Sequence, residues 1–202
     1  MKTRLILASA SPRRKELLEQ MGVEFEILPA VKEEIITSAI PSKVVLELSS
    51  QKAMEVACTY QTKLPFQEAE TTVVIGSDTV VAFENQILGK PKDDADAKRM
   101  LSLLAGKTHS VFTGVTLLIC QNGEQRMHSF YEETKVTMYP MSELELEAYV
   151  ATKEPMGKAG AYAIQGKCGI YIQKIVGEYN TVVGFPIARI YQEMKNLNIE
   201  IL

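Results

Sequence analysis

The chain is short of histidine, with only His109 and His128, which excludes a multi-histidine metal centre and leaves a hard cation held by carboxylates and phosphate oxygens as the metal to expect. Its three cysteines, Cys58, Cys120 and Cys168, are far apart and contain no CxxC pair, so neither a zinc knuckle nor a redox motif is present. They read as reduced core residues. There is no basic excess either: 22 Lys and Arg stand against 25 Asp and Glu, a net charge of −3 that argues against coating DNA or RNA. A few cations gathered in one place could still hold a small anion. The first apolar run, Leu5 to Ala8, is too brief for a signal peptide or a membrane span, so a cytoplasmic protein is expected. Repeats, low-complexity tracts and linkers are absent. With 202 residues and 46% hydrophobic content, one domain over 1–202 is the default.

What is present reads as an alternation of helices and strands. Leu5 to Ala8 is a short buried strand, and Ser11-Pro12 starts a helix with Ser as N-cap and Pro at the first position. A second helix begins near Ser42 with Val45, Leu48, Val56 and Ala57 on one side. Thr62 to Glu70 is polar and reads as a loop. Thr71 to Phe83 is strongly β-forming and turns back through Ile87 and Leu88. A helix from Asp93 or Asp94 carries Ala97, Met100, Leu101 and Leu104 as its apolar stripe and stops at Gly106. Val111 to Cys120 meets Gln125 to Tyr131 across an Asn122-Gly123 hairpin, and Thr134 to Tyr139 is a further strand. Ser142 and Glu145 form a capping box for a helix through Val150. Ile170 to Val176 and Thr181 to Val183 look extended, and a last helix from Pro186 aligns Ile187, Ile190, Tyr191 and Met194. Hairpins mixed with helices predict an α/β protein with a mixed sheet.

Several residues are costly for a fold alone. Arg13, Arg14 and Lys15 sit in the first turn of the first helix, where the macrodipole disfavours cations by about 0.3–1 kcal/mol each. An anion would compensate, cradled by free backbone N–H groups with the hydroxyls of Ser9 and Ser11; side chains curling into solvent are the plainer reading. Asp78 interrupts an apolar strand, and an unpaired buried carboxylate costs several kcal/mol, so it needs a cation, a metal or a task, unless it is simply a turn residue. Thr79 could lend a hydroxyl beside it. Lys52 lies between Leu48 and Val56 at i+4 spacing, so it must snorkel or meet an anion. Lys90 and Lys158 each follow a glycine that allows close backbone approach to a ligand. Glu33 and Glu34 read as surface charge, one of which could complete a metal site. His109 reads as a satisfied strand-edge residue and His128 as a hairpin residue. Tyr162 and Gln165 could read a base edge, or the loop could pack on itself.

Together, LILASASPRRKELL, QKA, IGSDT, GKP, GKTHSV, KEPMGKAGAYAIQG and VVGFPI occur in order, and in this the chain resembles the Maf family of nucleoside triphosphate pyrophosphatases over nearly its whole length. The resemblance implies an inosine-triphosphatase-like α/β fold with an elongated mixed sheet flanked by helices and a nucleotide-binding cleft, in a homodimer. It implies cleavage of a nucleoside triphosphate to the monophosphate and pyrophosphate, with Asp78 as proton acceptor. Ser9, Arg13, Arg14, Lys52, Lys90 and Lys158 would bind substrate, aided by Mg²⁺ or Mn²⁺, with Co²⁺ a further candidate; Glu33 and Asp78 are the implied metal ligands. Arg13, Thr79 and Gln165 match the branch acting on dTTP and UTP. The chain departs from the family at Gly157, usually Asp, at Ala163, usually Gly, and at Phe185, usually Leu. A nucleotide-sensing regulator of cell division and an enzyme cutting the γ-phosphate are the competing readings.

Overall fold

The computed structural model describes residues 2–63, 70–84 and 86–201. Its elements run β1 (Lys2–Leu7), α1 (Pro12–Gln20), β2 (Phe25–Ile27), α2 (Pro41–Lys63), β3 (Glu70–Phe83), β4 (Gln86–Leu88), α3 (Asp94–Leu104), β5 (Thr108–Gln121), β6 (Glu124–Met138), α4 (Glu143–Ala151), β7 (Ile172–Val176), α5 (Tyr179–Val183) and α6 (Ile187–Asn196). The strands form a seven-stranded sheet in the order β2-β1-β3-β5-β6-β7, with β4 paired to β3. It is mixed: β1 is parallel to β2 and β3, whereas β3–β4 and β6–β7 are antiparallel. The α/β class expected from the sequence is the one observed.

Contacts divide the chain into two compact units. The first comprises residues 1–78, 113–131 and 184–202; the second comprises 79–112 and 132–183. In the first, Ile6, Ala8, Ala53, Val56, Ala57, Val74 and Leu118 form a core between α2 and the strands. Gly76 and Gly114 make that packing possible. A Cβ on Gly76 would overlap the Ser49 carbonyl and stand 2.9 Å from Ala53 N, and one on Gly114 would stand 2.9 Å from Val45 Cβ. In the second, Ala97, Met100, Leu101 and Leu104 of α3 are all buried, packing with Val81, Val111, Val136 and Tyr149. Asp93 caps α3 by accepting from Asp96 N at 2.8 Å, and the Ser142–Glu145 capping box opens α4. The Asn122-Gly123 turn has positive φ at both positions, 51° and 79°, which suits the right-handed twist of the strands it joins.

The structure corrects the sequence reading in several places. Ser11 is the N-cap of α1 but makes no side-chain cap bond; its backbone N–H instead donates to Ser9 Oγ at 3.2 Å. The strands expected at Gln125–Tyr131 and Thr134–Tyr139 are one strand, β6. The glutamates between them fit because burial alternates, with Phe130, Thr134, Val136 and Met138 inward and Glu133 outward, bonded to Ser110. Thr181–Val183 is helical, in α5. Two glycines, Gly177 at φ 129° and Gly184 at φ 107°, confine the segment to one turn, so its β-propensity finds no strand to pair with. Of the loop expected at Thr62–Glu70, Thr62 and Lys63 end α2 and Glu70 begins β3, while 64–69 lie outside the described residues, as does Asn85 of the following turn. Cys120 and Cys168 are buried, but Cys58 is exposed on α2.

Candidate active site

The first unit gathers its functional side chains around the end of β1 and the middle of β3. Ser9, buried in the β1–α1 turn, accepts a hydrogen bond from Arg14 Nη1 at 3.1 Å. Arg14 Nε donates to the Gly184 carbonyl at 2.9 Å, and Ser77 Oγ donates to the same oxygen at 3.2 Å. The turn before α1, the middle of β3 and the start of the final segment are thus tied through one carbonyl. Burial lowers the pKa of Arg14, with the charge of Asp78 opposing and that of Arg13 adding to the effect. Of the three first-turn cations, Lys15 turns outward to Glu19 at 3.4 Å, as a solvated side chain would. Arg13 is half-buried and has no hydrogen bond or ion pair among the described residues, leaving its guanidinium available to an anion.

Lys52 meets its anion in the protein. It forms an ion pair with Asp78 and a second with Glu34 at 2.9 Å, the Lys52 and Asp78 side chains being 16% and 14% exposed. Local sequence explains the encounter: the bare backbone of Gly76 lets α2 close onto β3 two residues before Asp78, with Ala53, the neighbour of Lys52, at the point of contact. Such a half-buried charge is tolerable because it is paired.

Glu34 arrives on an irregular strap held to α2 by side chains spaced one turn apart. Glu55 accepts from Val31 N at 2.8 Å, Gln51 bonds both N and O of Ile35, and Glu47 accepts from Thr37 N at 3.0 Å. These bonds replace the ladder that the strap, lying outside any strand, does not have. Strap and helix line an open hollow of about 520 Å³ that includes Glu33, Glu34, Gln51 and Lys52. Glu33 lies in this hollow but is exposed; the residue that reaches Lys52 is Glu34, and nothing in the adjacent pair of glutamates distinguishes them by sequence. No group of three metal-ligating side chains occurs among the described residues. Two carboxylates converging on one ammonium nevertheless match the needs of a hard cation such as Mg²⁺, which binds through one or two carboxylates and completes its shell with phosphate oxygens and water.

The second unit holds the other sequence-selected residues. Thr79 is half-buried on β3, two residues before Val81 and therefore on the same face of the strand. Gly160, at φ 66°, sits against Val81: a Cβ there would come within 2.8 Å of Val81 Cγ2. Its N–H donates to the Gly89 carbonyl at 3.1 Å, joining the Lys158 loop to the turn that carries Lys90. Lys90 and Gln165 are exposed, with no partner among the described residues. Lys158 is half-buried and donates to the Glu154 carbonyl. Gly157 has φ 73° and open space where a side chain would stand. One expectation changes here. His109 is on an inner strand, not an edge: it is 3% exposed, its Nε2 pairs with Tyr162 Oη at 2.8 Å, and its Nδ1 has no partner. Tyr162 is packed inward against His109, as the self-packing alternative has it, whereas Gln165 is exposed. His128, outside this region, bonds Glu193 at 2.8 Å.

The family model described as Maf-like protein matches residues 4–197. A protein of Agathobacter rectalis named dTTP/UTP pyrophosphatase is 55% identical over 204 residues, covering 98% of this chain and 100% of that protein. A Lachnoclostridium phytofermentans protein and a Bacillus cereus protein, both with the same name, are each 47% identical over 199 residues, covering 98% of this chain and 97% of theirs. Among solved structures, the Ham1 protein of Staphylococcus aureus aligns over 96% of this chain and 98% of its own, at 10% identity and a TM-score of 0.47.

Proposed function

From its membership of the Maf-like family, to which this chain belongs, we propose that it hydrolyses dTTP and UTP to the monophosphate and pyrophosphate. The observation that carries the reading is Asp78 within β3, held by Lys52 on α2 in the unit that also presents Arg13 and the Arg14–Ser9 pair. The Lys52 ammonium pairs with the Asp78 carboxylate and holds it in place. Water attacks the α-phosphorus, the water proton passes to Asp78, and the α–β bridging bond breaks to release pyrophosphate. Arg13 and Ser9 bind the phosphate tail, and the family likeness assigns Lys90 and Lys158 to substrate binding as well. Charge gathering on the phosphoryl oxygens in the transition state is stabilised by these donors.

A divalent cation, Mg²⁺ or Mn²⁺, would be held by Asp78 with Glu34 or Glu33, and when bound would neutralise phosphate charge. Arg13, Thr79 and Gln165 select the base, Gln165 because its amide both donates and accepts and so suits the carbonyl and imide edge of a pyrimidine. A homodimer and a cytoplasmic location belong to the same proposal, the first following the family likeness and the second the location of the nucleotide pool. Size-exclusion chromatography with light scattering tests the former.

Purified protein with Mg²⁺ or Mn²⁺ is expected to convert dTTP and UTP into monophosphate plus pyrophosphate, resolved by ion-exchange chromatography. Asp78→Asn is expected to lower kcat by about a hundredfold to ten-thousandfold, the range for a lost general base. Its fold should persist, because Glu34 still pairs with Lys52. Release of diphosphate and orthophosphate would overturn the bond assignment. Binding without turnover in the wild type would favour the regulatory alternative.

A further inference from the structure

The loop from Lys158 to Lys167, which carries two of the residues assigned to substrate, is fastened by a side chain that no role so far includes. Glu154 follows α4, half-buried. Its Oε1 accepts from Tyr149 Oη at 2.9 Å and its Oε2 from Lys167 N at 3.1 Å. The Tyr149 hydroxyl, having donated its proton to Glu154, accepts from Ala163 N at 3.3 Å. Gly166 lies directly over the carboxylate: a Cβ on it would stand 2.6 Å from Glu154 Cδ, so a side chain there would push the carboxylate out of its present place. The carbonyl of Glu154 takes the bond from Lys158 Nζ.

One residue therefore touches the loop at Lys158, Gly166 and Lys167, and at Ala163 through Tyr149. Two further ties, Gly160 N–H to the Gly89 carbonyl and Tyr162 Oη to His109, hold its middle. Amid these backbone attachments the Gln165 side chain is exposed and has no partner among the described residues. A fixed backbone bearing a free side chain is the arrangement a ligand-reading residue needs.

We propose that Glu154 is a positioning residue which, directly and through Tyr149, sets the backbone that presents Lys158 and Gln165, and so sets discrimination between bases. This rests on the pyrophosphatase reading above. A carboxylate with only a structural role would, when removed, lower activity toward every triphosphate by the same factor. A positioning role changes the ratio between them, because a misplacement of about 1 Å costs up to a hundredfold in rate for the substrate that depends on it.

The test compares wild type, Glu154→Ala, Glu154→Gln and Tyr149→Phe as full-length protein. Hydrogen exchange is followed at single amides, and kcat/KM is measured for dTTP, UTP, dATP and dGTP. In Glu154→Ala the amides of Ala163 and Lys167 are expected to lose at least about tenfold protection while strand amides keep theirs, and the preference for dTTP over dGTP is expected to fall by about tenfold or more. Tyr149→Phe should free Ala163 alone. Glu154→Gln, which keeps an acceptor for Lys167 N–H, should retain part of the selectivity. Unchanged loop protection in Glu154→Ala, or equal loss toward all four substrates, overturns the proposal. Wild-type protein inert toward every triphosphate would instead remove the pyrophosphatase reading, and the exchange data would still decide whether Glu154 fixes the loop.

Discussion

At the scale of single residues, the chemistry follows from what each charged or polar group finds within reach. The sequence marks Lys52 and Asp78 as residues that need partners, and in the fold each is the other's partner. Glu34 and Gly184 are different: one is a surface-looking glutamate and the other a glycine in a hydrophobic stretch, yet the first closes the pair and the second supplies the carbonyl that holds Arg14 and Ser77. No local pattern distinguishes either. His109 illustrates a cost that sequence does not show. Burial depresses its pKa to about 4 from 6.5, and the imidazole is neutral in the folded state. Between pH 6.5 and 4 the unfolded chain binds a proton that the folded chain does not. Stability therefore falls as pH drops through this window, and this contribution levels off below pH 4. The loss amounts to about 2 kcal/mol at pH 5 and about 3 kcal/mol in full. Urea unfolding of wild type and His109→Phe at pH 7 and pH 5 checks it: the variant should show the smaller decrease, and equal decreases would exclude this origin.

At the scale of elements, helix starts and stops were legible because their causes lie within four residues. The Asp93 cap, the Ser142–Glu145 capping box, the apolar stripe of α3 and the Asn122-Gly123 turn all follow from such local chemistry. Where the reading failed, the cause was remote. Charged residues in the middle of β6 looked like a break until alternating burial placed them outward, and Thr181–Val183 looked extended until its flanking glycines confined it. The docking of α2 is likewise invisible in its own sequence, because the space it needs is provided by Gly76 on β3 and Gly114 on β5. Gly76→Ala is expected to destabilise the protein by about 1–3 kcal/mol or more, the cost of overpacking a filled contact, and to lower activity by displacing Lys52 from Asp78. Gly22→Ala, with open space around it, provides the comparison for backbone strain alone. A Gly76→Ala protein with unchanged urea midpoint and turnover would show that α2 does not depend on this approach.

For the whole molecule, a net charge of −3 coexists with anion-binding chemistry because the cations are placed locally and several acids are engaged elsewhere: Glu47 and Glu55 on the strap, Asp93 and Glu145 on caps. If a triphosphate binds the folded chain and not the unfolded one, a non-hydrolysable dTTP analogue with Mg²⁺ at a hundred times its Kd should stabilise the fold by about 2.7 kcal/mol. Thermal unfolding with and without it gives the measurement, and an identical midpoint in both would exclude a site in the native protein. By itself, the sequence determined the α/β class, the order and most boundaries of the elements, and which residues were too costly to be idle, since helix periodicity, capping and turn chemistry act over a few positions. Only the tertiary structure decided that Glu34 reaches Lys52, that Tyr162 faces His109 and that Glu154 secures the Lys158 loop. Those pairings depend on which distant backbones come close enough to touch, and that is set by packing across the sheet and by glycines whose effect lies entirely in what they leave out.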